Sequence, residues 1–521
     1  MIRSGRAARR AAGRLCLVDF DGTEPSDRLQ HLVVDHHIGG VCLFRKNVAS
    51  AAQVAGLTAA LQRLARAAGA PPLWVAIDHE GGAVSRFPPS SEVTALPSAM
   101  ALGACGDVGL AMAAGRAAGE ELRAMGIHLN FAPVLDVNNN PANPVIGARS
   151  FGESPALVEA MGTAYIAGLQ AAGVGATAKH FPGHGDVTVD SHLALPCVDH
   201  AADRLHAVEL PPFRAAAAAG VAAVMTAHIV FTALDPSRTP ATMSAPILRG
   251  ILRGQWGYRG LIVSDSLGMR AIVDNYGIGE AAVAAVQAGC DLLLALGPEV
   301  WQDQILECVA HAIECGDIGA ERVSASVARL AEGAARWGVG AQARGAGARA
   351  PVLRGHGDVA RRIAEAAVTV VRNRAGTVPI RGGRLGVVTV ARTSAEGPAA
   401  ALASALRRYH RAVVEVGPED AAADLDALIA VTCTRGTLPV GEAAGIRDLH
   451  RRYGDRLIVV AAGDPYDLLQ CPDVAAYVAT YGPDAPSMDA AARVLTGLIP
   501  ARGRLPVSLP GLHAAGSGVS A

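Results

Sequence analysis

The sequence has little net charge, few aromatic residues and almost no lysine. Lys plus Arg total 46 and Asp plus Glu total 47, a formal net charge of −1. This excludes proteins that bind nucleic acid or anionic membranes by bulk electrostatics. The 8 Phe, 8 Tyr and 4 Trp disfavour a polysaccharide-binding surface, which usually stacks sugars on aromatic rings. Lys46 and Lys179 are the only lysines, so each is a candidate for a role that needs a compact charge.

The sequence also lacks the marks of secretion, membrane insertion and a cysteine framework. Its arginine-rich start has no apolar core of a signal peptide. The longest weakly polar run, residues 215–227, is too short to span a bilayer. Nine widely spaced cysteines without a CxxC pair disfavour a disulfide scaffold and a zinc knuckle. We therefore expect a cytoplasmic protein that binds neither membrane nor nucleic acid.

Hydrophobic residues make up 51% of the 521 residues, enough for more than one full-size core. Eight short apolar runs alternate with helical stretches in the first part of the chain. Continuous apolar strands are typical of a parallel sheet that is buried on both faces. Eight such strand–helix units predict a (β/α)8 barrel, whose active site lies at the carboxyl ends of the strands. The predicted strands are 15–20, 39–44, 73–78, 128–134, 174–180, 221–228, 261–265 and 291–296.

A second alternating pattern follows two helical segments and a stretch rich in Gly, Ala and Arg that has no periodicity. It predicts a smaller α/β sandwich domain. The predicted strands are 367–371, 385–390, 427–431, 457–461 and 476–480. We expect a barrel domain over 1–338, a linker over 339–358 and the sandwich domain over 359–521. The second domain has no GxGxxG motif and no P-loop, so nothing indicates a nucleotide cofactor.

The densest group of ionisable residues is KHFPGHGDVTVDSH at 179–192, after the fifth predicted strand. One interpretation is a metal site, although proline and glycine exclude a helical HxxxH face and a lysine repels a divalent cation. The possible ligands are His180, His184, Asp186, Asp190 and His192.

Acid–base chemistry is the second interpretation of the same loop. Asp190 and His192 are two residues apart, so they point the same way in an extended segment. A carboxylate beside an imidazole fixes the tautomer and raises the histidine pKa, which makes a proton donor that works near neutral pH. The structural alternative is a histidine that only makes local hydrogen bonds in its loop.

Three further segments place polar residues at strand ends. Asp78 lies in AIDHEGGAVSRF, and Arg149 lies at the end of a long polar loop after the fourth predicted strand. Asp265 ends the seventh predicted strand in GLIVSDSLGM. This carboxylate fits a nucleophile, a base or a ligand, and either Asp265 or Ser266 also fits a helix N-cap.

These segments together resemble glycoside hydrolase family 3, specifically its β-N-acetylhexosaminidase branch. Residues 179–192 match the branch pattern KH(F/I)PGHG, four residues, D(S/T)H throughout. DHEGG at 78–82 is similar to the family's DQEGG, with His79 in place of Gln. NPVIGARSFG at 143–152 and VSDSLGM at 263–269 are also similar to family segments. The resemblance covers the chain from about residue 15 to residue 511.

The resemblance implies a retaining β-N-acetylhexosaminidase without metal or other cofactor. Asp265 would be the catalytic nucleophile, and His192 the general acid/base with Asp190 as its dyad partner. The residues that bind the sugar would be Asp78, Arg149, Lys179 and His180. The second domain then need not supply a catalytic group, and we expect it to pack against the barrel and shield the site.

The expected substrates are small soluble glycosides, such as muropeptide or chito-oligosaccharide fragments met during cell wall recycling. We expect a monomer. The main alternative is a β-N-acetylglucosaminide phosphorylase, because a neutral imidazole does not repel phosphate as a carboxylate would. A specialised glycosidase or transglycosylase of secondary metabolism is a further alternative. A non-catalytic sugar-binding homologue is disfavoured, because the full catalytic set is present.

Overall fold

Eight parallel strands close into a barrel, as the apolar runs predict. The computed structural model describes residues 5–88, 92–341, 356–390, 397–417 and 424–520. Around the barrel the strands follow chain order, and β8 pairs with β1 to close it. The strands are β1 (Cys16–Val18), β2 (Gly40–Leu43), β3 (Trp74–Ile77), β4 (Leu129–Asn130), β5 (Gly175–Phe181), β6 (Ala223–Thr226), β7 (Leu261–Ser266) and β8 (Leu292–Ala295).

Helices surround the barrel, and several begin at side chains that the sequence supplies as caps. Ser50, Ser98, Asp107 and Ser154 each accept a backbone N–H in the first turn of the helix that follows, which satisfies a donor that the helix leaves unpaired. The helices are α1 (Gly5–Arg14), α2 (Asp27–His31), α3 (Ala51–Ala67), α4 (Ala99–Cys105), α5 (Val108–Ala124), α6 (Pro155–Ala171), α7 (Ala202–Ala207), α8 (Leu210–Ala218), α9 (Arg270–Val273), α10 (Ile278–Ala288), α11 (Glu299–Cys315) and α12 (Ala320–Arg336), with a π-helical segment over Pro246–Gln255.

A six-stranded sheet forms the smaller α/β domain, also as predicted. Its order is β9-β14-β13-β12-β10-β11, and only β9 runs antiparallel to its neighbour. The elements are α13 (His356–Ala367), β9 (Thr369–Asn373), β10 (Leu385–Thr389), α14 (Pro398–Arg407), β11 (Val413–Glu415), β12 (Ala427–Thr432), α15 (Val440–Tyr453), β13 (Leu457–Ala461), β14 (Ala476–Ala479) and α16 (Ala485–Leu495). The sequence prediction lacks β11, which is a partly exposed edge strand of three residues.

The two faces of the second sheet pack in different cores. Along β12, Ile429 and Val431 belong to a core that is confined to the second domain. Leu428 and Ala430, on the opposite face, belong to the same core as the barrel residues. This alternation is what a strand period of two residues produces, and it makes one face of the sheet continuous with the barrel core.

Polar contacts also join the two domains. Ser98 Oγ donates to the carbonyl of Tyr481 at 2.7 Å, and Asn138 Nδ2 donates to the Tyr466 hydroxyl at 2.8 Å. The Glu153 carboxylate accepts hydrogen bonds from the backbone N–H and the hydroxyl of Ser508. These bonds attach the second domain to the segments that follow β3 and β4 of the barrel.

Most of the predicted linker, residues 342–355, lies outside the described residues, so the predicted domain boundaries stay a prediction. The two helical segments expected before the linker are present as α11 and α12. No helix in the described ranges combines the length and the apolar character that a membrane-spanning segment needs.

Candidate active site

A cavity of about 620 Å³ opens at the carboxyl ends of the barrel strands. Six of the seven predicted site residues line it. They are Asp78, Arg149, Lys179, His180, His192 and Asp265. The seventh, Asp190, is hydrogen-bonded to His192. The structure thus brings together side chains from β5, β7 and the loops that follow β3, β4 and β5.

Asp265 lies near the end of β7 and is partly buried. Its Oδ1 accepts the backbone N–H of Ser266 at 2.7 Å. Burial alone would raise the pKa of Asp265, but the positive charges of His180 and His228 hold that pKa below its ordinary value. The carboxylate is therefore ionised near neutral pH and available as a nucleophile.

His228 fixes the backbone next to Asp265. Its Nε2 lies 2.8 Å from the carbonyl oxygen of Ser266, and because a carbonyl only accepts, Nε2 carries the proton. Its Nδ1 lies 2.8 Å from the hydroxyl of Thr242, which also donates to the carbonyl of Ala227 at 3.1 Å. Burial lowers the pKa of His228, while the charge of Asp265 and the bond to Ser266 oppose that effect.

Asp190 and His192 form a carboxylate–imidazole pair, although residues 191–193 form a turn and not the extended segment that the sequence prediction assumed. Asp190 Oδ1 lies 2.8 Å from His192 Nδ1 and also accepts the His192 backbone N–H at 2.8 Å. This geometry leaves Nε2 as the nitrogen that faces away from the carboxylate. The His192 side chain is 60% exposed, so the pair stands at the mouth of the cavity while Asp265 lies deeper.

Two carboxylates and three cations form a network on the wall of the cavity. Lys179 is only 2% exposed, and its Nζ lies 2.9 Å from Asp78 Oδ1 and 2.6 Å from Glu80 Oε1. Arg149 makes a two-pronged contact with Glu80, with Nε–Oε2 and Nη2–Oε1 distances of 2.9 Å. Arg86 donates to the second oxygen of Asp78 at 2.9 Å.

The cations in this network keep its carboxylates ionised. Burial would raise the pKa of Asp78, but Lys179 and Arg86 outweigh it and hold that pKa below its ordinary value. Arg149 and Lys179 lower the pKa of Glu80 in the same way. The two carboxylates in turn raise the pKa of Lys179 against its burial. Asp78, Glu80 and Lys179 are therefore charged at neutral pH.

His180 is oriented by Asp136, which is fully buried after β4. Asp136 Oδ2 lies 2.7 Å from His180 Nδ1, and Asp136 Oδ1 accepts the backbone N–H groups of His180 and His184. The Nδ1 proton is thus directed at the carboxylate, and Nε2 lies 3.5 Å from Arg149 Nη2. Burial would raise the pKa of Asp136, but the charge of His180 holds it down.

The candidate metal ligands of the 179–192 loop have separate partners. His180 bonds Asp136, and Asp190 bonds His192. His184 Nε2 lies 2.9 Å from the Ser191 hydroxyl, and Asp186 Oδ2 lies 2.7 Å from Nε2 of His200. Within the described ranges no three His, Cys, Asp or Glu side chains converge as ligands of one metal.

Sequence reasoning assigned no role to three charged residues of the site. Glu80 lies within the DHEGG segment, so the similarity of this segment to the family motif could have indicated a role for it. Asp136 was visible as a polar residue after the fourth strand, but nothing paired it with His180. Arg435 follows β12 in the second domain and lines the same cavity as Asp265 and His192. No local pattern points to Arg435, so the second domain contributes to the cavity wall as well as to packing.

The closed barrel, the ionised Asp265 and the Asp190–His192 pair at its carboxyl face define a (β/α)8-barrel protein with an acid–base site. The family model for the glycosyl hydrolase family 3 N terminal domain matches residues 9–332. The chain belongs to glycosyl hydrolase family 3, a family of glycoside hydrolases, which confirms the resemblance found in its motifs.

Relatives in this family carry related names. The chain is 37% identical over 377 residues to beta-hexosaminidase A of Pseudoalteromonas piscicida, covering 68% of this chain and 62% of the relative. It is 39% identical over 297 residues to a beta-hexosaminidase of Xylella fastidiosa (strain M23), covering 56% of this chain and 86% of the relative. The solved structure of a family 3 beta-N-acetylglucosaminidase from Paenibacillus sp. str. FPU-7 superposes with a TM-score of 0.89 at 40% identity, covering 96% of this chain and 98% of that one.

Proposed function

We propose that this chain is a retaining β-N-acetylhexosaminidase that removes terminal β-linked N-acetylglucosamine from small soluble glycosides. The observation that carries the proposal is a single cavity lined by the ionised Asp265 and by His192, whose Nδ1 is held by Asp190. A nucleophilic carboxylate and a proton donor are the two groups that retaining hydrolysis needs. The names of the relatives and the solved Paenibacillus structure support an acetamido sugar as the substrate.

In the first step Asp265 attacks the anomeric carbon, and the bond from that carbon to the leaving oxygen breaks. The protonated His192 gives its Nε2 proton to the leaving oxygen, so the alcohol departs neutral. Asp190 stabilises the imidazolium through the Nδ1 bond. The products of the step are a covalent glycosyl–Asp265 ester, the free aglycone and a neutral imidazole.

In the second step the neutral His192 takes a proton from a water molecule. The water oxygen attacks the anomeric carbon, and the ester bond to Asp265 breaks. The enzyme regains its carboxylate and its imidazolium, and the sugar leaves with the configuration it had in the substrate, because two inversions have occurred.

The charged network on the cavity wall suits a sugar ring, whose hydroxyl groups both donate and accept hydrogen bonds. Asp78 can accept from a hydroxyl, and Lys179 and Arg149 keep further protons to donate as charged donors. His180, aligned by Asp136, adds an imidazole on the same wall. We assign sugar binding to these four predicted residues, with Glu80 and Asp136 holding them in place.

The proposal extends to muropeptide or chito-oligosaccharide fragments as substrates and to cell wall recycling in the cytoplasm by a monomer. The cavity volume of about 620 Å³ suits a substrate of one or two sugar rings better than an intact polymer. All nine cysteines are free thiols, which suits a reducing compartment. Cell fractionation tests the cytoplasmic location, and light scattering tests whether the protein is a monomer.

The test uses 4-nitrophenyl β-N-acetylglucosaminide and 4-nitrophenyl β-glucoside, each with and without phosphate. We expect turnover of the acetamido sugar, indifference to phosphate and a first-formed sugar of β configuration by NMR. A strong stimulation by phosphate with release of a sugar 1-phosphate would instead make the protein a phosphorylase. Preferential turnover of the glucoside, or an α first product, would contradict the proposal.

A further inference from the structure

A carboxylate of the second domain bonds the barrel next to a predicted sugar-binding residue. Asp464 follows β13, is 2% exposed and has its side chain directed at the domain boundary. Its Oδ1 accepts the backbone N–H of Ala148 in the barrel at 2.6 Å, and its Oδ2 accepts the backbone N–H of Gly436 in its own domain at 2.6 Å. One side chain thus fixes two backbone segments of different domains.

The barrel segment that Asp464 holds is the turn that presents Arg149. Ala148 is the middle residue of the 3₁₀ turn Gly147–Arg149. A Cβ atom on Gly147 would collide with the carboxylate of Asp464, so turn and carboxylate fit closely. Because Ala148 and Arg149 are consecutive, a displacement of this turn would move the guanidinium away from Glu80 and the cavity.

The second segment that Asp464 holds carries Arg435, the residue before Gly436. Arg435 lines the catalytic cavity and also a smaller cavity of about 180 Å³ between the domains, which Arg149 and Asp464 share. The backbone N–H of Asp464 donates to the carbonyl of Thr434 at 2.9 Å, so the loop is bonded on both sides of Arg435. The Asp464 carboxylate therefore fixes the backbone next to both arginines that line the cavity here, Arg149 and Arg435.

Burial makes the charged form of Asp464 unfavourable in the folded protein. Burial raises its pKa to about 6, because the two backbone N–H bonds and the charge of Arg435 only partly offset the loss of water. Asp467 and Tyr466 pack near it and supply no positive charge. A buried charge of this kind is weak support for a purely stabilising role.

From this geometry we infer that Asp464 is a positioning residue for the sugar-binding Arg149, so the barrel site is complete only with the second domain in place. The inference rests on the proposed function for the role of Arg149. Asp464 touches neither the sugar nor the reacting atoms and acts through the Ala148 N–H. The second domain then takes part in substrate binding through the barrel's own arginine.

The test compares Asp464→Ala with Glu153→Gln in the full-length chain. Glu153 is the matched control, because its carboxylate also accepts a backbone N–H from the other domain, that of Ser508 at 2.7 Å, but does not line the cavity. Thermal unfolding gives the Tm of each variant. The kcat and KM with the 4-nitrophenyl acetamido sugar and the calorimetric binding of N-acetylglucosamine are then measured well below both Tm values.

We expect Asp464→Ala to lower kcat/KM about 10- to 100-fold, the scale of an ångström-level misplacement, and to weaken sugar binding. Asp464→Asn, which keeps one acceptor oxygen, should fall between it and the wild type. Glu153→Gln should lower Tm and leave kcat/KM within about twofold. Equal kinetic losses in both variants, or normal kinetics in a folded Asp464→Ala protein, would overturn the inference.

A double-mutant cycle separates positioning from general damage. If Asp464 acts through Arg149, then Asp464→Ala added to Arg149→Ala should cost little more than Arg149→Ala alone. Additive losses would overturn the inference. If Asp464→Ala does not fold, the cycle is run with Asp464→Asn. If the wild type binds the sugar but fails to turn over the aryl glycoside, the proposed function is wrong, and the cycle in binding affinity still decides the role of Asp464.

Discussion

The pKa values of buried carboxylates are shifted in opposite directions on the cavity wall of the barrel and at the adjoining edge of the second domain. In the barrel, nearby cations hold the pKa values of the buried carboxylates below their ordinary range. These residues are Asp78, Glu80, Asp136 and Asp265. In the second domain, burial raises the pKa values of three carboxylates against weaker opposing contacts. These are Asp464, Asp467 and Asp484.

The difference shows that burial alone does not decide whether a carboxylate is charged. Lys179, Arg149, Arg86 and the histidines are concentrated where the proposed chemistry needs charge, and the second domain offers its acids mainly backbone N–H and hydroxyl groups. Of the two lysines in the chain, one is buried between Asp78 and Glu80. The barrel thus stabilises a set of ionised groups at a cost in desolvation that coulombic contacts offset.

The largest effect should come from Asp265→Asn, because it removes the one ionised carboxylate assigned to bond formation. We expect kcat to fall by at least about 10⁴-fold while circular dichroism shows an intact fold. In Asp265→Ala, added azide should restore turnover and give an α-glycosyl azide, since a single inversion then occurs. Near-normal activity of Asp265→Asn would contradict its assignment as the nucleophile.

His192→Ala should have the next largest effect, and one that depends on the leaving group. A poor alkyl leaving group needs the proton from Nε2, so its kcat/KM should fall about 10²- to 10⁴-fold, whereas the 4-nitrophenyl glycoside should lose much less in its first step. Asp190→Asn should show a similar but milder pattern. Equal losses for both substrates would mean that His192 is not the general acid.

Lys179→Met tests the charge balance of the barrel wall. Removing the cation leaves Asp78 and Glu80 buried with less compensation, so we expect the free energy of unfolding to fall by about 3–5 kcal/mol, measured by urea denaturation. Lys46→Met is the matched control. Lys46 pairs with Asp19 and Asp21 but is 41% exposed, and a loss of about 1 kcal/mol or less is expected there. Equal losses would contradict the contrast between the two lysines.

Asp467→Asn tests the second domain, where burial raises the pKa values of carboxylates. Of these variants it should have the smallest effect on activity. Burial raises the pKa of Asp467 from 3.8 to about 7, so the fold favours its protonated form. The protonated Asp467 carboxyl makes its whole contribution to the free energy of unfolding below about pH 4, and this contribution is lost as the pH rises through about 7. We expect Asp467→Asn to match the wild type at pH 4 and to exceed it at pH 8, by at most about 4 kcal/mol on the scale of 1.36 kcal/mol per pKa unit. A pH-independent difference in unfolding free energy would contradict this.

Sequence patterns predicted the barrel and most of the residues that line its cavity. Continuous apolar runs located all eight barrel strands, because each strand is buried on both faces, and Asp78, Lys179 and Asp265 stand at strand ends where parallel topology gathers them. The partly exposed β11 has no such pattern. Arg435 and Asp464 were out of reach because they join the site through a domain contact, and Asp464 lies more than 300 residues from the Ala148 N–H that it accepts.

The exposure of His192 bears on which molecule receives the sugar. Under the proposed mechanism the imidazole that activates the acceptor stands at the open mouth of the cavity, 60% exposed. Added alcohols or other sugars would then compete with water for the glycosyl–enzyme in proportion to their concentration. The same geometry that allows hydrolysis would let the protein serve as a synthetic catalyst, making β-linked N-acetylglucosaminides from an activated donor.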